Sequence, residues 1–180
     1  MSRDGDVVHD PALAGDYRLA REASSISFSN KTFWGALTVN GSFTDFDGGG
    51  SRGADGAVTG QVVIRTSSLT TGSRKRDEHL RSADFFAVTE YPEIKAVVTG
   101  ARPAADSSLE LQATLTVKDR TQPIVLPADV SVVDGRTVQV RTRISVERET
   151  FGVTGNLIGM VGATTTLVGR LVFRRADSPT

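Results

Sequence analysis

Residues 108–117 read SLELQATLTV, in which Leu109, Leu111, Ala113, Leu115 and Val117 alternate one for one with Glu110, Gln112, Thr114 and Thr116. A period of two puts the apolar set on one face of an extended strand and the polar set on the other. The same period returns along the chain. Residues 137–146 alternate Val138, Val140, Thr142 and Ile144 with Gln139, Arg141, Arg143 and Ser145. Residues 35–46 set Leu37, Val39, Gly41 and Phe43 on one face, and residues 57–64 set Val58, Val62 and Ile64. Ile94, Ala96 and Val98 do so in residues 93–102, and Leu167, Gly169, Leu171 and Phe173 in residues 164–174; residues 123–133 add a further strand. Such a chain is all-β, with one face of each strand turned to a common interior.

Turn signals part these runs at Asp47-Gly48-Gly49-Gly50, Asp55-Gly56, residues 103–107, residues 119–122 and Asp134-Gly135. Asp-Gly pairs suit hairpin turns because both central positions tolerate positive φ. Asn40-Gly41 falls inside a strand, which predicts a bulge or a sharp barrel bend. Tight turns imply antiparallel pairing, and no βαβ alternation is present. Closing the sheet removes its sticky edges. The expected architecture is therefore an extended antiparallel, lipocalin-like β-barrel of about eight strands, able to hold side chains or one small ligand. A sandwich would carry nearly the same pattern.

The totals narrow the function. The 180 residues suffice for one domain, and 38% hydrophobic content suits a folded protein. Lys plus Arg and Asp plus Glu both number 21, so net charge gives no argument for nucleic acid. Cysteine is absent, which excludes disulfides, thiolate catalysis and cysteine metal sites. No window approaches a span of about 20 apolar residues. Residues 1–16 carry neither a basic start nor an apolar core, so the chain as it stands is expected in the cytoplasm. A periplasmic or secreted location would need an export segment upstream. Residues 1–15 and 176–180 are read as flexible extensions around a barrel of residues 16–175.

One stretch interrupts the strands. Residues 76–93 read RDEHLRSADFFAVTEYPE, a mixture of charge and aromatics without strand periodicity. Residues 74–83 form the best helical candidate, with Asp77 and Arg81 one i,i+4 step apart. Ser82 is placed to cap a second helical turn. Residues 151–162 (FGVTGNLIGMVG) are apolar and glycine-rich, which predicts a loop at a barrel mouth.

These residues carry a family resemblance. Thr71 through Phe86, continued by Tyr91-Pro92-Glu93-Ile94, resembles the signature of the YceI-like proteins, lipocalin-like barrels associated with polyisoprenoid binding. Residues 17–19, 24–28, 41–48, 115–124 and 148–153 resemble further blocks of that family, so the likeness covers roughly residues 16–174. The resemblance implies a long apolar cavity, a bound polyisoprenoid or similar amphiphile, and a homodimer. It departs where the family has an aspartate and a histidine in its opening strand, here Ala20 and Ala23, and at a histidine missing from residues 30–33.

The resulting expectation is a binding protein that carries or stores an isoprenoid-type lipid, with no catalytic residues, no metal and no cofactor beyond an isoprenoid or isoprenoid quinone as ligand. The expected wall comprises Phe28, Trp34, Leu37, Val39, Phe43 and Phe46, then Phe85, Phe86, Leu115, Phe151 and Met160. Arg76 and Arg81 are the candidates to face a charged headgroup, with His79 beside them. Two alternatives stay open: an enzyme using His79 with Asp77 or Glu78 as acid and base, and a filled barrel that binds protein partners.

Overall fold

The computed structural model describes residues 10–105, 108–155 and 161–177. Among them eleven strand segments form one sheet that closes on itself. In chain order they are β1 (Gly15–Leu19), β2 (Ser25–Thr32), β3 (Leu37–Phe43), β4 (Phe46–Arg52), β5 (Val58–Arg65) and β6 (Leu69–Thr70). Helix α1 (Arg74–Arg81) follows, then β7 (Glu93–Pro103), β8 (Leu109–Val117), β9 (Arg120–Asp134), β10 (Thr137–Glu147) and β11 (Val161–Arg175). The ring runs β1-β4-β5-β7-β8-β9-β10-β11, and β11 pairs back onto β1. Every pairing is antiparallel. This is the closed eight-strand barrel the alternation predicts, and it excludes the sandwich.

The eleven segments amount to eight strands because β1/β2, β3/β4 and β5/β6 are each one strand broken at one level. The breaks are the turns Arg21–Ala23 and Thr66–Ser68 and the pair Thr44, Asp45. They touch one another: Arg21 pairs with Asp45 at 2.8 Å, and the Thr44 amide donates to the Ser68 carbonyl at 3.3 Å. β8, β9, β10 and β11 cross this level without interruption. Beyond the break, β3 pairs with β6 only at Ser42 and Phe43, leaving its stretch from Leu37 to Gly41 with a partner on the β2 side alone. α1 stands across that gap. No helix among the described residues is long and apolar enough to cross a membrane.

Several turn assignments differ from expectation. Gly48, Gly49 and Gly50 lie in the body of β4, all paired with β5, and Gly49 and Gly50 with β1 as well. A Cβ at Gly49 or Gly50 would stand 2.7 Å from the Tyr17 or Thr59 carbonyl oxygen, so close backbone approach, not a turn, requires glycine. Gly41 makes no bulge, since the β2–β3 register runs unbroken; the Phe28 ring lies over it, in the space a side chain would fill. Asp55-Gly56 and Asp134-Gly135 do mark hairpins, but of these four residues positive φ is found only at Gly56. The turn expected over residues 119–122 is Lys118-Asp119, with Lys118 at φ 56°, and β9 has begun by Arg120.

The β2–β3 loop, residues 33–36, is unusual. Phe33 (φ 50°) and Trp34 (φ 54°) adopt left-handed backbone in succession, ahead of Gly35 at φ 92°. Left-handed conformation costs an L-residue roughly 1–2 kcal/mol, and turns normally meet that cost with glycine or asparagine.

Candidate functional site

The barrel axis is hollow. A cavity of about 510 Å³ runs through it, within the range of about 300–1,000 Å³ typical of ligand pockets. Its wall is the inward face set by the strand period: Leu109, Leu111 and Leu115 from β8, Val138, Val140 and Ile144 from β10, with counterparts on every other long strand. On β11 the lining extends from Val161 to Phe173, twelve steps of about 3.3 Å, hence roughly 40 Å along the strand and about 30 Å along an axis tilted by about 40°. Many inward side chains, Val98, Leu111, Val140 and Leu171 among them, are only half-buried despite facing the interior. In a filled barrel those positions would be buried.

The two ends differ. Leu13, in the short turn Pro11–Leu13, is buried at the β1 end and lines the cavity there, held by the Tyr17 hydroxyl donating to its carbonyl at 2.8 Å. At the opposite end α1 and the segments after it form a cap. Phe28, Phe43, Phe85 and Phe151 pack there with Ile94 and Val117. Phe43 meets Phe28 at 5.4 Å and Phe86 at 6.3 Å between ring centroids. The tunnel reaches the surface between α1 and the free edge of β3, where exposed Arg76 and half-buried His79, Leu80, Phe86 and Val39 border it.

α1 is tied down by a buried carboxylate. Asp77 accepts from the Thr71 amide at 2.8 Å, the Thr71 hydroxyl at 2.6 Å and the Thr70 hydroxyl at 3.3 Å. The Thr71 hydroxyl bond holds its pKa below the ordinary 3.8, against the opposing effect of burial. Asp77 is thus a latch for the helix rather than a surface partner of Arg81. The i,i+4 ion pair that does form is Arg74 with Glu78, at 3.0 Å. Ser82 ends α1 by donating to the His79 carbonyl at 2.6 Å, so it caps this helix and starts no second one.

Phe28, Val39, Phe43, Phe85, Phe86, Leu115, Phe151, Arg76 and His79 all line the tunnel. Arg81 does not: its guanidinium donates to the Ser67 and Leu69 carbonyls, 3.1 and 2.5 Å away, and splices α1 to β6. Phe46 is fully buried, packed into the core beside the tunnel wall. Trp34 and Leu37 are not in the wall either, being 89% and 57% exposed. Leu37 lies on the same sheet face as Val39 and pairs with Thr32, which does line the tunnel. Met160 lies outside the described residues.

The acid–base pair expected of an enzyme is not assembled. Asp77 is bound to the two threonines and Glu78 to Arg74, while His79 stacks edge-on against Phe85 at 5.1 Å and has Asp84 at 3.9 Å. No group of three His, Cys, Asp or Glu among the described residues could hold a metal ion.

Arg148 falls in the resembling block of residues 148–153, but no role was assigned to it from the sequence. It is buried, and its guanidinium donates to four carbonyls: Val153 at 2.6 Å, Gly155 and Gly162 at 2.9 Å and Val161 at 3.4 Å. It binds the start of β11 to the loop that carries Phe151. The sequence offered one signal, a charged residue at the head of an apolar, glycine-rich loop rich in carbonyls to satisfy.

A closed antiparallel barrel around an apolar tunnel, capped by one helix, is the architecture of small lipocalin-like binding barrels. The chain belongs to the YceI-like domain family, whose model matches residues 17–173. It is 32% identical over 120 residues to a UPF0312 protein of Pseudomonas savastanoi, covering 65% of this chain. It is 32% identical over 121 residues to protein YceI of Shigella flexneri, again covering 65% of this chain. The chain spans 62% of the length of each of these relatives. The fold is similar to that of Burkholderia cenocepacia BcnA, with TM-score 0.78 and 20% identity over 86% of this chain and 98% of that one. It is also similar to a polyisoprenoid binding domain from Saccharophagus degradans implicated in plant cell wall breakdown, with TM-score 0.74 and 17% identity over 89% and 98%.

Proposed function

We propose that the tunnel binds, and carries or stores, a long-chain polyisoprenoid or a similar amphiphilic lipid, an isoprenoid quinone included. The observation that carries this reading is the tunnel itself: about 510 Å³, drawn out along the barrel and lined by aliphatic and aromatic side chains. Burying a hydrocarbon chain gains about 0.8 kcal/mol per methylene, so affinity there needs few polar contacts. Arg76 and His79 at the opening supply the polar contacts for a headgroup. The similarity in fold to a polyisoprenoid binding domain supports the same reading.

The test is mass spectrometry of a solvent extract of the protein from its own host, followed by titration of the delipidated protein with a polyprenol. Leu115→Trp fills the tunnel at a buried wall position. The variant should stay folded, by its melting profile, and lose at least tenfold in uptake. A delipidated protein that takes up no polyprenol or quinone, or a folded variant that takes it up unchanged, sinks the reading.

A further inference from the structure

Phe33, Trp34 and Leu37 bring three exposed large apolar side chains to one hairpin, at 44%, 89% and 57% exposure. They sit at the tip and root of the β2–β3 hairpin, beside the opening between α1 and β3. The wall leads to them: Val39 lines the tunnel, Leu37 follows on the same face, and the two aromatics stand beyond. The left-handed backbone of Phe33 and Trp34 holds both rings outward at a turn that would form more easily with asparagine and glycine. Nothing in the barrel's packing requires them there, and strain kept at one spot points to a use.

We infer that this hairpin tip is a membrane-docking finger, which sets the tunnel opening against a lipid bilayer so that the ligand passes without crossing water. The inference rests on the lipid-binding reading above. Tryptophan and phenylalanine suit the headgroup–acyl boundary. Arg74 and Glu78 neutralise each other, which leaves exposed Lys31 on the same hairpin and exposed Lys75 and Arg76 on α1 as three cations near the finger, and these favour anionic lipid. A second copy of the chain is the less fitting occupant. At about 200 Å² per large apolar side chain, the three present on the order of 400 Å², half of the about 800 Å² that each partner buries in a stable interface.

Trp34 is the only tryptophan in the chain, so its emission reports directly on the finger. The experiment titrates the protein with vesicles of phosphatidylcholine and phosphatidylglycerol, with and without brominated acyl chains. The finger predicts a blue shift on adding vesicles, quenching by the brominated lipid, and sedimentation with vesicles that drops at least tenfold in Phe33→Ser/Leu37→Ser. That variant, altered only at exposed positions, should bind polyprenol offered in detergent as the parent does. Unchanged emission at saturating vesicles overturns the finger, as does a blue shift that follows protein concentration without lipid, which would make it a contact between copies. The emission readout needs no bound ligand. A protein that docks but takes up no polyprenol therefore refutes the lipid-binding reading and leaves the finger standing.

Discussion

Arg148 shows how much one side chain holds in a thin-walled barrel. Its guanidinium meets four carbonyls, Val153 and Gly155 in the loop after Phe151 and Val161 and Gly162 at the start of β11, and an unmet buried carbonyl costs about 1–3 kcal/mol. Arg148→Met should lower stability by about 2–4 kcal/mol by chemical denaturation. Arg148→Lys should rescue little, because an ammonium cannot reproduce the planar fork. Gly41 makes the opposite point, since its missing side chain is what matters. Gly41→Ala sets a methyl against the Phe28 ring, and overpacking of this kind costs about 1–3 kcal/mol. Adding Phe28→Leu should recover part of the loss; a strictly additive pair would separate the two residues. Neither partner was legible in the sequence. An isolated arginine beside a glycine-rich loop and a glycine after an asparagine both read as local features, and what fixes them is a neighbour distant in the chain.

At the scale of elements, alternation was a reliable guide where strands are long and one face is wet. β8 and β10 face inward with the residues their period assigns. The signal failed in the glycines of β4, where local turn preference outweighs a backbone contact that exists only once the barrel has closed. It failed again at Leu37, which continues the face of Val39 and yet stands exposed. α1 was legible as a helix, but its anchor was not, because Asp77 finds its partners on the segment before the helix. That anchor has a pH signature. The folded state holds Asp77 below the ordinary 3.8, so the carboxylate stabilises α1 at every pH above that value. The contribution fades as acid carries the pH down through the depressed pKa. Stability should therefore be flat in this respect at neutral pH and fall below about pH 4. Asp77→Asn should lower stability at pH 7 and flatten that acid limb. An acid limb of unchanged slope in the variant would remove Asp77 from the account.

At the scale of the molecule, the fold class followed from patterning alone, because strands with one apolar face and short connections have few ways to bury it. Whether the interior is filled or hollow did not follow. Both cases use the same residue types, and the difference lies in how far apart opposite walls stand. The three breaks at a single level give the barrel two unlike sides. On one, the ladders of β8 through β11 run the length of the molecule. On the other, the ladders are interrupted at one height, and single bridges at Ala20, Ser24, Thr44, Asp45 and Thr66 rejoin them. Such a shell has a seam. Amide hydrogens beyond it, in β2, β3 and β6, should exchange through local opening well before those of β8 and β9, which should wait for global unfolding. The molecule would then admit a bulky guest by parting along a line already drawn in its backbone, while its other side keeps its shape.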